Sequence, residues 1–407
     1  MMQTSATLLD LVSRYQAFLK EYIYPIEKEI IFGSFKSHLP KLRELRELAK
    51  SKCLFTPHLS VDEGGLGLSL HEFARVSEIL GTSPLGHYIF NCNAPDIGNM
   101  ELMHQFASPF LKETFLKPLQ RGEIRSCFAM TEPEHAGSNP IHMSTKAVLE
   151  GDEYVINGHK WFTTAADGAH FTIVMAITNP EAENVYQRAS MILVPLDNPG
   201  YRLVRNISIM GDEGEDYLSH GEVEFTNCRV PKSYLIGEEG QGFTLAQVRL
   251  GPGRIHHCMR WIGQAETALD MMVDRSLNRF SHGSLLAEKQ GIQWLIADSA
   301  MELYQCKLMV LHAAYKIDRG DDFTAEVSMA KHFVANSLNR IIDRAIQVHG
   351  ALGYSTDTPL AHMYQQARWA RFADGADEIH QMRIAQRTIA AWRDHGSTRT
   401  ATGDLPI

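Results

Sequence analysis

The chain has 407 residues, with 39 basic and 48 acidic side chains and a formal net charge of −9, a balance that excludes a nucleic-acid surface. Hydrophobic residues make up 44% and charged residues 21%, which excludes a disordered chain and provides for a large core, over two or three domains or in one large composite unit. Six cysteines without Cys-x-x-Cys spacing read as reduced thiols of a cytoplasmic protein, and no apolar run approaches the roughly 18 residues of a membrane span.

In chain order, the first segment sets Leu8, Leu9, Leu11, Val12 and Leu19 among Asp10, Arg14, Lys20 and Glu21. That is the pattern of an amphipathic helix and not of a signal peptide. The same period runs through LPKLRELRELAKSKCLF and LHEFARVSEILG, so residues 1–123 are expected to form an α-helical domain. Between 124 and 236 the character changes to short β-branched and aromatic runs, YVING, FTIVMAI, SMILVPL, YRLV and GEVEFTNCRV, divided by turn clusters. The gaps hold no helical crossover, which predicts an antiparallel β domain. Helical periodicity returns over 242–280, 285–319, 324–349 and 376–393, predicting a four-helix bundle across 237–395. Residues 396–407 form a polar tail expected to fray.

Four places could carry chemistry. The loop FAMTEPEHAGSN, residues 128–139, offers backbone N–H groups and hydroxyls to an anion or a flat polar ring, or is simply a turn-rich connector. In NGHKWFTTAADGA, Trp161 and Phe162 beside Thr163 and Thr164 could wall and edge a planar cofactor, or fill the core. Arg254 follows Gly251-Pro252-Gly253 at what reads as a helix opening, where it could hold a phosphate or a carboxylate; Arg279 precedes the break at Gly283. Both also suit a solvated helix face. The adjacent pair His256-His257 lacks the i, i+4 spacing of a zinc site, and no metal is expected. In RFADGADEIH, Asp377 suits a helix N-cap and Glu378 its first turn, which leaves Asp374 as a carboxylate on a loop, a candidate base or a surface residue.

Taken in order, FAMTEP…AGS, NGHKWFT, GEVEFTNCRVP, GEEGQGF, LGPGRI, AIQVHGALG and FADGADEIH resemble the acyl-CoA dehydrogenase family over residues 10–393. The resemblance implies an α+β fold: an N-terminal helical domain, a middle β-barrel-like domain and a C-terminal four-helix bundle. It implies FAD, with Phe128, Met130, Thr131, Gly137 and Ser138 around the flavin ring, and Phe162, Thr163 and Thr164 where a tryptophan usually stacks. Arg279, Gln347, Gly350 and Ala351 would reach the dinucleotide of a neighbouring subunit, and Ala376 and Glu378 would lie near the flavin. Ser138, Arg254 and Gly375 would meet the acyl-CoA. Asp374 stands where many members carry a catalytic glutamate; a second group carries it near Gly253, where this chain has no carboxylate.

The activity so implied is α,β-dehydrogenation of an acyl-CoA to a trans-2-enoyl-CoA, as in fatty acid β-oxidation, with Asp374 taking the α-proton and flavin N5 the hydride. The base would need a raised pKa, which burial beside the acyl chain could supply. Electrons would pass to an electron-transfer flavoprotein, and a homodimer or homotetramer is expected, with no nucleic acid and no membrane. LGPGRIHHCMR with ADGADE resembles most closely the subgroup whose longer eukaryotic members carry an added kinase-like domain. That likeness implies an alternative: phosphate elimination and isomerisation of a 4-phosphoacyl-CoA to a 3-hydroxyacyl-CoA.

Overall fold

A computed structural model describes residues 5–402. The chain divides into two compact units, each gathered from segments distant in sequence. The first comprises the residues up to Gly33, Gly67–His87 and the chain from Gly251 on; the second comprises Ser34–Leu66 and Tyr88–Leu250.

The first unit is helical. Helix α1 (Ala6–Phe18) starts where the Ser5 hydroxyl accepts the Leu8 N–H at 3.1 Å. Helix α2 (Leu70–Leu80) begins in a capping box, with Ser69 and Glu72 each satisfying the other's backbone N–H. The remaining long helices are α3 (Gly242–Asn278), of which the residues from Gly251 on belong to this unit, α4 (Gln290–Arg319), α5 (Thr324–His349) and α6 (Asp377–His395). Helix α5 packs on both α4 and α6, as a bundle requires. Lys307 of α4 bridges Glu78 and Glu266, joining α2, α3 and α4.

The second unit is built on one sheet: β1 (Ser126–Ala129), β2 (Lys146–Glu150), β3 (Glu153–Thr164), β4 (Phe171–Ile177), β5 (Ala189–Pro195), β6 (Tyr201–Asn206), β7 (His220–Pro231) and β8 (Leu235–Ile236). The strand order is β6-β7-β3-β2-β4-β5-β8, with β1 also on β4. The path has two ends, so the expected barrel is an open sheet that does not close. Nor is it wholly antiparallel. β1 runs parallel to β4 through four residue pairs, and β2 meets β4 in one parallel bridge. The β2–β3 hairpin inserted between β1 and β4 makes their connection long enough for a parallel pair. Strand β4 is covered on both faces, Phe171, Ile173 and Met175 lying in one apolar cluster and Val174 and Ala176 in another. That is why FTIVMAI reads as a continuous apolar run and does not alternate.

Two further local expectations are corrected. Gly251-Pro252-Gly253 does not open a helix but lies inside α3. Proline already has a helical φ, and Val248, whose carbonyl loses its partner, is partly exposed to water. In the predicted tail, Arg399–Thr402 form a helical turn with Ala401 buried; residues 403–407 lie outside the described residues. No described helix is long and apolar enough to cross a membrane, and all six cysteines are free thiols.

Candidate active site

In the first unit the chemistry gathers around the loop that enters α6. Asp374 has φ +52° and Gly375 φ +108°. A left-handed conformation is ordinary for glycine but strained for aspartate, and such strain persists only where neighbours enforce it. Here two cations do so: Arg254 Nε donates to the Asp374 carbonyl at 2.7 Å, and Lys331 Nζ donates to the Gly375 carbonyl at 2.6 Å. The Asp374 side chain is 22% exposed, and its Oδ2 lies 2.9 Å from His257 Nε2. Gly375 is closely backed, since a Cβ there would stand 2.8 Å from His380 Nε2.

Electrostatics follow from burial. Desolvation and the nearby Arg260 push the His257 pKa down to about 4, against the pull of Asp374. Burial, with Lys331, Arg254 and Arg383 close by, pushes His380 down to about 3, and burial also lowers Lys331. Both histidines are therefore neutral near pH 7.

Asp377 is not the N-cap of α6. The cap position is Ala376, and Asp377 is the first helical residue, its carboxylate taken by Arg371 at 2.8 Å and Asn336 at 3.0 Å. Glu378 is exposed in the first turn. Arg279, Gln347, Gly350 and Ala351 lie exposed at the far ends of α3 and α5, outside the Asp374 cluster. The break before α4 is a tight hairpin, Phe280–Ser281 against Ser284–Leu285, turned by His282 and Gly283 at positive φ.

In the second unit the residues 128–139 and 161–164 meet. Trp161 N donates to the Thr131 carbonyl at 3.1 Å, and the Thr131 hydroxyl returns a bond to the Trp161 carbonyl at 2.8 Å. A bulge in the β3–β7 register between Lys160 and Thr163 accompanies a φ of +49° at Phe162, a residue that is 45% exposed. Thr163 is buried and its hydroxyl has no partner, while Thr164 Oγ1 pairs with His220 Nδ1 at 2.9 Å. Gly137 and Ser138 are exposed on the loop, and a Cβ at Gly137 would press on Thr131 Cγ2 at 3.0 Å. Phe128 carries the Arg249 guanidinium over its ring at 4.1 Å, and Met130 is half-buried.

Sequence reasoning missed the clamp beneath this loop. Lys160 Nζ, fully buried, donates to the Met130 carbonyl at 2.8 Å and to Glu132 Oε1 at 2.9 Å. Glu132 also accepts the Thr145 and Ser144 N–H groups. Burial pushes Lys160 down to about 8 against the opposing pull of Glu132. No alternation marks it in the sequence, since Tyr154, Val155 and Ile156 are all buried and the register shifts between Ile156 and Gly158 before Lys160 is reached.

An exposed ring set on a bulge, a buried hydroxyl lacking a partner and a loop glycine that lies close against Thr131 suit a flat, polar-edged group. In the first unit, the half-buried carboxylate on a braced, strained turn is suited to proton transfer.

Models of the acyl-CoA dehydrogenase middle domain and C-terminal domain match residues 127–228 and 240–389. The chain is 41% identical over 399 residues to the probable acyl-CoA dehydrogenase FadE2 of Mycobacterium tuberculosis, covering 95% of this chain and 96% of that protein. It is 40% identical over 385 residues to acyl-CoA dehydrogenase family member 10 of Mus musculus, covering 91% of this chain but spanning only 36% of that longer relative. Among solved structures, a Mycobacterium abscessus protein assigned to the acyl-CoA dehydrogenases superposes with a TM-score of 0.91 at 39% identity, over 96% of this chain and 100% of that one.

Proposed function

The chain belongs to the acyl-CoA dehydrogenase family, and from that premise we propose that it is an FAD-dependent enzyme in which Asp374 removes the α-proton of an acyl-CoA thioester, giving the trans-2-enoyl-CoA. The observation that carries this reading is the Asp374–Gly375 turn: a carboxylate in a strained backbone conformation, braced at two successive carbonyls by Arg254 and Lys331.

Phe128, Met130, Thr131, Gly137, Ser138, Phe162, Thr163 and Thr164 would hold the flavin from the second unit. Arg279, Gln347, Gly350, Ala351, Ala376 and Glu378 would meet the rest of the dinucleotide, some of them across a homodimer or homotetramer. Ser138, Arg254 and Gly375 would contact the acyl-CoA. When bound, the flavin supplies a two-electron acceptor for the β-hydrogen, and an electron-transfer flavoprotein would take those electrons onward. The chain's own part is binding and proton transfer. Bracing at the two carbonyls holds the carboxylate in place, since displacement of about 1 Å costs on the order of a hundredfold in rate. The Asp374 backbone N–H would donate to the thioester oxygen as enolate charge develops.

A second reading is favoured by one feature. Arg254, Lys331, Arg260 and Arg383 form a cationic set around His257, His380 and Asp374, suited to an anionic substituent on the acyl chain, as in phosphate elimination from a 4-phosphoacyl-CoA.

Anaerobic titration of the flavin-loaded protein with a panel of acyl-CoAs, including a 4-phosphoacyl-CoA, tests both by following flavin bleaching and phosphate release together. Bleaching by a simple acyl-CoA without phosphate release is the expected result. Phosphate release with the flavin oxidised at the end would favour the second reading and overturn the first.

A further inference from the structure

His257 has no part in the chemistry above, although it makes the contact to the carboxylate itself. Its Nε2 lies 2.9 Å from Asp374 Oδ2. Its other nitrogen, Nδ1, meets a terminal guanidinium nitrogen of Arg260, one turn further along α3. A guanidinium has donors and no acceptor. Nδ1 must therefore accept, the single ring hydrogen must sit on Nε2, and Nε2–H must donate to the carboxylate.

The ring is also held mechanically. It stacks on Trp261 at 5.4 Å with 14° between planes, and meets Trp369 edge-on at 5.3 Å. The Arg260 guanidinium lies 5.4 Å over the Trp369 ring, so the group that fixes the tautomer is itself fixed.

We propose that His257 is a positioning residue, a neutral donor locked in one tautomer by Arg260, which grips Oδ2 of Asp374 and sets the plane in which the carboxylate meets the α-proton. The proposal rests on Asp374 being the base. His257 does not relay the proton onward, because its second nitrogen faces a cation and cannot gain a hydrogen there. The charged and titratable groups that face the ring are Asp374, Arg260, His256 and, from the segment after α2, His87. All except Asp374 oppose a positive charge on it.

The test uses the flavin-loaded protein and two variants. His257→Phe keeps the ring packed between the tryptophans and removes the donor; His257→Gln brings an amide N–H near the place of Nε2–H. His257→Phe should lower kcat by about 10- to 100-fold with KM little changed. The acid limb of its kcat/KM profile should move to higher pH, because the carboxylate has lost a hydrogen bond that favours its charged form. His257→Gln should recover most of kcat.

A second readout is independent of turnover. The ¹⁵N resonances of histidine-labelled protein, assigned to His257 by their loss in the Gln variant, should show the Nε2–H tautomer unchanged between about pH 6 and pH 8. An Nδ1–H tautomer, a titration within that range, or wild-type kcat and acid limb in His257→Phe would each overturn the proposal. Failure of the underlying reading is recognisable separately. Turnover by Asp374→Asn removes the base and this inference together, whereas an inactive Asp374→Asn beside a wild-type His257→Phe removes only the role of His257.

Discussion

His257 and His380 illustrate how a single buried side chain links the site to stability. An imidazole in the unfolded chain titrates near 6.5, whereas in the fold these two are held down to about 4 and about 3. Between those values the unfolded chain binds protons that the folded chain does not. Stability is therefore full above about pH 6.5 and is lost as pH falls toward 4. One such histidine contributes up to about 1.4 kcal/mol per pH unit in that window. Replacing His380 by Phe should reduce the fall in thermal midpoint between about pH 7 and pH 5. An unchanged pH slope in His380→Phe would show that this residue is not responsible.

Much of what the sequence hid lay at this scale. Arg254, His257 and Trp261 are spaced by three and four residues and so share one face of α3, yet adjacent His256-His257 drew attention only as a failed zinc pair. Lys331 likewise falls within the apolar stripe of Val327, Val334 and Ala335 on α5, a position that calls for a buried partner. Its partner, the Gly375 carbonyl, is a backbone atom 44 residues away, and no pattern in a single sequence points to that pairing.

At the scale of elements, α3 and the end of α2 approach through glycine. A Cβ on Gly263 would stand 2.1 Å from the Glu78 carbonyl oxygen, and one on Gly81 2.3 Å from the Arg260 carbonyl oxygen. Both obstacles are backbone, so they cannot swing aside. Gly263→Ala should destabilise the first unit by about 1–3 kcal/mol, the usual cost of overpacking, although alanine is the better helix former. Gly253→Ala is the control, because its Cβ would meet only Asp374 Oδ2 at 3.9 Å, an ordinary contact. Equal unfolding midpoints for the two variants would contradict the close crossing. Helices α3 to α6 were legible because each carries several turns of periodic pattern, and the strands because turn clusters bound them. Closure of the sheet and the parallel β1–β4 pair were not, since strand patterning fixes which residues face inward but not which strand lies next to which.

At the scale of the whole molecule, chain order and packing order differ. Residues up to Gly33 and Gly67–His87 belong with the C-terminal helices, while Ser34–Leu66 belongs with the sheet. Nothing in the periodicity of LPKLRELRELAKSKCLF distinguishes it from the helices on either side, because an amphipathic stripe states that a face is buried without naming what buries it. The family could be read from seven motifs in order. That evidence lies in short motifs around turns and a strand bulge, such as those holding Gly375 and Phe162, where the chain takes a positive φ.

Exchange at the α-carbon distinguishes Asp374 as the base from any other proton acceptor. An acyl-CoA with sulfur in place of the β-carbon can lose its α-proton but has no β-hydrogen to give, so deuterium uptake from heavy water, read by mass spectrometry, isolates the proton-transfer step. The wild-type protein with flavin bound should exchange the α-hydrogen, and Asp374→Asn with the same flavin content should exchange it at least about a thousandfold more slowly, within the range a positioned general base contributes. Exchange by Asp374→Asn at the wild-type rate would show that another group takes the α-proton.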